Sequence, residues 1–164
     1  MNPFRRAAVP VDVEAGERVL AWADGATGPV AGTREALYLP GGHRVPWEQV
    51  ESADWDLETT TLTVSEVGNW GVARPVHALV LDEPARLLQL VRERVTATVV
   101  LQRHVAVHDK AGVRVIARRA PTGTRELTWL FEYDAGIDPE DPLVVQAAQE
   151  TLTAARDEVG ERSP

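Results

Sequence analysis

Three runs in the C-terminal half alternate apolar and polar residues and are broken only by short turns. They are Val99 to His108, Val113 to Arg119 and Arg125 to Tyr133, separated by Asp109-Lys110-Ala111-Gly112 and Ala120-Pro121-Thr122-Gly123. Alternation with period two is the signal of a half-buried strand. Connections this short force antiparallel neighbours, because parallel strands need a crossover of a dozen residues or more. A three-stranded meander is therefore predicted. Both turns place Gly last, which suits a type I turn followed by a left-handed residue, and Pro121 occupies a position that turn favours.

That turn choice sets a register. Asp109 pairs with Val113 and Ala120 with Thr124; Val107 faces Val115, and Val105 faces Ala117. On the next strand Val115 faces Trp129, Val113 faces Phe131 and Ala117 faces Leu127. One face then collects Val105, Val107, Val113, Val115, Ala117, Leu127, Trp129 and Phe131, and the alternation is consistent with it. The other face puts His104 beside Arg118, Arg118 beside Glu126 and His108 beside Arg114, with Ile116 and Leu130 as isolated apolar residues. A helix from about Asp141 to Val159, with a stripe of Val144, Ala148, Leu152, Ala155 and Val159, is expected to cover the apolar face. Asp138 to Pro142 supplies carboxylates and a proline for its first turn.

The N-terminal half reads as short strands ended by turn residues. These are Arg18 to Trp22, Val30 to Leu39, Arg44 to Trp47, Val50 to Trp55, Leu62 to Val64 and Val76 to Leu81. Pro46 belongs at a sheet edge or strand end, since it cannot donate to a ladder. The period then changes: Leu87, Leu88, Val91 and Val95 share a helical face, with Asp82 as the expected N-cap. The fold class is α+β on mainly antiparallel sheet. One domain over 1–164 is expected, with sub-parts 13–96 and 98–160.

Composition narrows the function classes. The chain of 164 residues is 44% hydrophobic, enough for a packed core, and has no cysteine. Disulfides, thiolate metal sites and cysteine nucleophiles are thereby excluded, and a reducing cytoplasm is the expected location. No apolar run approaches the ~18 residues of a membrane span, and Ala7 to Val13 is too short and too interrupted for a signal peptide. A net charge of −8 argues against nucleic acid or an anionic membrane as partner. Within that acidic chain, residues 100–125 hold Arg103, Lys110, Arg114, Arg118, Arg119 and Arg125 against only Asp109.

The run Glu17-Arg-Val-Leu-Ala-Trp22, then Val30-Ala-Gly-Thr-Arg-Glu-Ala-Leu-Tyr-Leu39, then Arg44-Val-Pro-Trp-Glu-Gln-Val-Glu-Ser-Ala53 resembles the PH-like and GRAM-like modules of bacteria. It is also similar to actinobacterial proteins of this length that have no assigned function. The likeness covers about Gly16 to Val95, and its motif is structural. It implies a curved antiparallel sheet closed at one end by a helix. The helix lacks the tryptophan common in eukaryotic PH domains. Asp24 to Pro29 has no Lys or Arg, whereas phosphoinositide-binding members use basic residues in that loop, so phosphoinositide binding is not expected.

The candidate sites are few. His104 and His108 on one strand lie ~13 Å apart, too far for one zinc ion. With His43 in a turn and His77 on a strand, no metal site and no cofactor are expected. Trp22, Trp55 and Trp129 are expected in the core, while the sequence leaves open whether Trp47 or Trp70 is exposed. Asp54, Asp56 and Glu58 read as a solvated turn, and no serine sits in a nucleophile-elbow pattern. Two readings follow. The first is a non-enzymatic interaction module that binds another protein or its own copies, through Ile116 and Leu130. The second is a binder of an anionic small molecule, or an enzyme acting on one, through His104, His108, Arg114 and Arg118.

Overall fold

The computed structural model describes residues 9–67, 74–123 and 126–161. The fold is α+β, with a seven-stranded sheet, a three-stranded meander and two helices. The chain divides into two compact units, Met1–Ala97 with Ala120–Gly123, and Thr98–Arg119 with Thr124–Pro164. Among the described residues no helix is long and apolar enough to cross a membrane.

In the first unit the strands are β1 (Ala21–Gly25), β2 (Val30–Gly32), β3 (Ala36–Leu39), β4 (His43–Pro46), β5 (Val50–Asp56), β6 (Thr61–Glu66) and β7 (Val76–Asp82), followed by α1 (Ala85–Ala97). All pairings are antiparallel and the order is β4-β3-β2-β1-β7-β6-β5. The first and last strands thus meet in the middle, where Asp24 pairs with Asp82. The expected first strand, Arg18 to Trp22, begins later, at Ala21.

The expected strand Val30 to Leu39 is two strands with a corner between them. Thr33 makes the corner. Its hydroxyl accepts from the Glu35 and Ala36 amides at 3.1 Å each, and its own amide donates to the Ala36 carbonyl at 2.9 Å. A threonine side chain that bonds its own backbone in this way competes with the ladder. Asp82, the expected helix cap, is instead the last residue of β7.

The core of this unit joins Leu37, Val45, Val50, Leu62, Val64, Leu79 and Leu81 of the sheet to Leu87, Leu90 and Val91 of α1. Trp47, in a short 3-10 turn Trp47–Gln49, lies at its centre, fully buried, with its indole N–H donating to the Thr33 carbonyl at 2.9 Å. Gly32 lets α1 and Trp47 approach the sheet: a Cβ there would stand 2.6 Å from Leu90 Cδ2 and 3.2 Å from the indole. Of the expected core tryptophans, Trp55 packs half-buried against this cluster, whereas Trp22 is 37% exposed. Trp22 is on the outward phase of β1 while Ala23 takes the core position. Trp70 lies outside the described residues.

In the second unit β8 (Val99–His108), β9 (Ala111–Arg119) and β10 (Leu127–Tyr133) form the meander, and α2 (Pro142–Glu158) packs on β8 and β9. The Asp141 carboxylate caps α2 by accepting from the Leu143 amide at 2.9 Å. Val113, Val115 and Ala117 of β9 and Val144, Ala148 and Ala155 of α2 are buried, while Leu152 and Val159 are half-buried.

The register differs from expectation. Val105 faces Val113, not Ala117, and Ala117 faces Trp129, not Leu127. The first turn is tighter than expected: His108 pairs with Ala111, and a bulge follows between Ala106 and His108. The left-handed residue is Asp109, at φ +53°, not Gly112. Gly112 is needed for another reason: opposite the bulge, a Cβ on it would stand 1.8 Å from the Val105 carbonyl oxygen. Between the bulges both slips are by an even number of residues, so Val105, Val113, Val115, Ala117 and Trp129 stay on the face their alternation assigns. The expected Ala120–Thr124 pair lies partly outside the described residues.

Candidate functional site

The His/Arg face is internally neutralised. His104 pairs with Arg114 across the ladder, not with Arg118. Its Nε2 is 2.7 Å from Asp134 Oδ2, which also accepts from the Gly112 amide at 2.8 Å. These hydrogen bonds, that of His104 first, hold the Asp134 carboxyl below its usual range. His108 contacts the α2 cap, Asp141, at 2.8 Å, and that bond with the Leu143 amide likewise holds Asp141 low. Arg114 donates to Glu132, its cross-strand neighbour, at 3.2 Å.

Arg118, expected as a solvent-facing anion ligand beside Glu126, is only 2% exposed and faces Thr128. Its Nε donates to Thr98 Oγ1 at 2.7 Å. A buried guanidinium is retained where such partners offset its desolvation. Of the two apolar residues expected at a contact surface, Leu130 is buried at 7% exposure and Ile116 is half-buried. These six residues share the meander, but each basic one has a partner of its own, and Leu130 is not at the surface. Asp56 is structural too: its carboxylate accepts from the Glu58 and Thr59 amides and closes the β5–β6 turn.

The first unit holds three features that the sequence reading missed. The first is a groove between β5 and α1, of about 430 Å³. Trp55, Leu62, Leu88, Val91 and Val95 line it, with Asp54 on the β5 side and Arg92 on the α1 side. The helical spacing of Leu88, Val91 and Val95 was legible, but it read as a core face. In the structure Leu87, Leu90 and Val91 form the buried stripe, leaving Leu88 and Val95 half-buried beside β5.

The second is a concavity of about 270 Å³ lined by Arg18, Arg34, Glu35 and Arg94 with Gly16 and Leu20. The Arg94 Nε is buried without a hydrogen-bond partner among the described residues.

The third is a cluster of His43, Glu66 and His77, from β4, β6 and β7. Both imidazoles meet one carboxylate oxygen: Glu66 Oε2 is 3.0 Å from His43 Nε2 and 2.7 Å from His77 Nε2. Burial alone would raise the Glu66 carboxyl, but the hydrogen bonds from His77 and His43 outweigh it and hold it below its usual range. The rings are 5.4 Å apart between centroids. Half of the cluster follows from one ladder. His77 pairs with Val64, so Glu66, two residues further along β6, is its diagonal neighbour on the same face. His43 had no sequence signal, because β4 reaches this place only through the folded sheet.

No protein-family model, curated protein or solved structure matches the chain.

Proposed function

We propose that the chain is a non-enzymatic protein-interaction module of the cytoplasm, with a PH-like first unit that docks an extended peptide segment of a partner protein. The groove between β5 and α1 carries this reading. One wall is apolar helix. The other is β5, the terminal strand of the sheet order, which among the described residues pairs only with β6. An edge strand offers backbone donors and acceptors to an added strand, and apolar pockets beside it select alternate side chains. Asp54 and Arg92 on opposite walls favour a peptide carrying a basic and an acidic residue flanking apolar ones. The sheet order, with one helix directly after its last strand, supports the PH-like assignment.

Selection of a random peptide display library against the whole chain tests this. Enriched peptides should alternate apolar residues and lose binding to Leu88→Glu, with the far-UV spectrum of the variant unchanged. No enrichment, or enrichment indifferent to Leu88→Glu, would refute the reading.

A second reading, binding of an anionic small molecule, rests on Arg18, Arg34 and Arg94. An anion there would satisfy the Arg94 N–H, which costs about 1–3 kcal/mol when buried and unmade. It predicts that phosphate or citrate raises the melting temperature of the wild type and not of Arg94→Leu. Equal responses in the two proteins would sink it.

A further inference from the structure

We infer that His43, Glu66 and His77 bind a first-row divalent transition-metal ion of the zinc class, with a coordination position left open to solvent. This is independent of the peptide groove. Each residue offers one ligand atom, and the three atoms all lie within 4.8 Å of one another. Zinc binds imidazole nitrogen and carboxylate oxygen at about 2.0–2.2 Å, which in a tetrahedral site sets neighbouring donors about 3.3 Å apart. The two separations from Glu66 Oε2, 3.0 and 2.7 Å, are those of a hydrogen-bonded trio. To admit the ion the carboxylate retreats and the two imidazole nitrogens, within 4.8 Å of each other, take up the tetrahedral spacing, with metal–ligand bonds replacing the hydrogen bonds.

The donor set selects the metal. Two imidazoles and one carboxylate suit zinc, cobalt, nickel or copper ions, whereas magnesium and calcium take all-oxygen shells. Three protein ligands, rather than four, leave a place for water or an exchangeable ligand. The surroundings give that place room. The side chain of His43 is 50% exposed, that of His77 29% and that of Glu66 16%. An open concavity of about 310 Å³ borders both histidines, lined further by Thr27, Leu39, Pro40, Ala78 and Leu79. An ion can enter from solvent, as a working site requires.

The ligands also make the site a cross-link. His43 is on β4, at one end of the strand order, and Glu66 and His77 are on β6 and β7, across β3, β2 and β1. Unfolding separates them, so an ion bound only to the folded chain raises stability by mass action.

The test uses the whole chain, freed of any purification tag and of metal by chelation, titrated with zinc and with cobalt. The expected result is one equivalent bound, a raised melting temperature, and cobalt-induced broadening of two of the four histidine ring signals by NMR. His43→Ala and His77→Ala should each weaken binding by at least about tenfold, while His104→Ala, at the other unit's histidine–carboxylate pair, leaves it unchanged. The NMR arm needs only the wild type, so it stands even if a variant fails to fold. Absence of binding below millimolar zinc, broadening of His104 or His108 instead, or equal affinity in His43→Ala and the wild type would each overturn the proposal.

Discussion

The Tyr38 hydroxyl donates to Glu17 Oε2 at 2.8 Å, and the same oxygen accepts from Arg44 Nε at 3.1 Å, while Thr33 Oγ1 donates to Oε1 at 2.6 Å. The Glu17 side chain is only 6% exposed. It ties the segment before β1 to the Thr33 corner, β3 and β4. Burial would raise its carboxyl, but the bonds from Thr33, Tyr38 and Arg44 outweigh burial and hold it below its usual range.

A depressed folded value means that the unfolded chain takes up the proton first as pH falls. The contribution of Glu17 to stability is therefore full above the unfolded carboxyl value of about 4.3 and is lost as pH falls through the lower folded one. Glu17→Gln should be less stable than wild type at pH 7 in urea unfolding, and the gap should narrow towards pH 3. A gap that is the same at both values would show that the charge of Glu17 contributes nothing.

Trp47 is buried on every side and also hydrogen-bonded, so its two contributions can be separated. Trp47→Ala leaves a cavity and should cost roughly 3–5 kcal/mol. Trp47→Phe keeps most of the volume but removes the donor to the Thr33 carbonyl, and should cost about 1–3 kcal/mol. Urea denaturation midpoints of the two variants give the comparison. Equal losses would mean that the hydrogen bond, not volume, is what the site requires.

Gly112→Ala should destabilise the meander by about 1–3 kcal/mol or more, because the new methyl meets the Val105 carbonyl and the bulge must shift. Thermal unfolding gives the loss, and amide exchange across β8 and β9 shows where the ladder opens. A variant as stable as wild type would mean that the two strands can separate there at no cost.

Asp141 serves both as the α2 cap and as the partner of His108. Asp141→Ala removes both roles and should lower the melting temperature more than Asp141→Asn, since asparagine caps well but carries no charge. The charge contribution is present above the unfolded aspartate value of about 3.9 and lost as pH falls below it, because the folded value is depressed. Melting scans of both variants at pH 7 and pH 3 separate the roles.

What was legible in the sequence followed what each signal physically constrains. Alternation fixes only which side of a sheet a residue faces, so Val113, Val115 and Ala117 were placed under α2 correctly although both ladders slipped by an even number. The turn was harder to read, since the need for Gly112 arises from a backbone approach across the ladder and not from its own dihedral angle. The run from Val30 to Leu39 has no proline to interrupt it and read as one strand, so the Thr33 corner, which a side chain makes, was hidden. The His/Arg face was visible, but Asp134, Asp141 and Glu132, the partners of His104, His108 and Arg114, come from later in the chain, and local charge could not reveal them. The cluster at Glu66 was the least legible, because His43 joins it through the order of strands.

That order has a temporal side. β1 has β2 on one flank and β7 on the other, so its second ladder involves the last strand of the unit. A ribosome that has released only the first four strands has made a sheet with one flank of β1 bare. Distant pairings of this kind close slowly, since loop entropy is spent before contacts repay it. The middle of the sheet is thus the last part to be sealed, and until β7 emerges the growing chain presents Asp24 and Gly25 along an open seam.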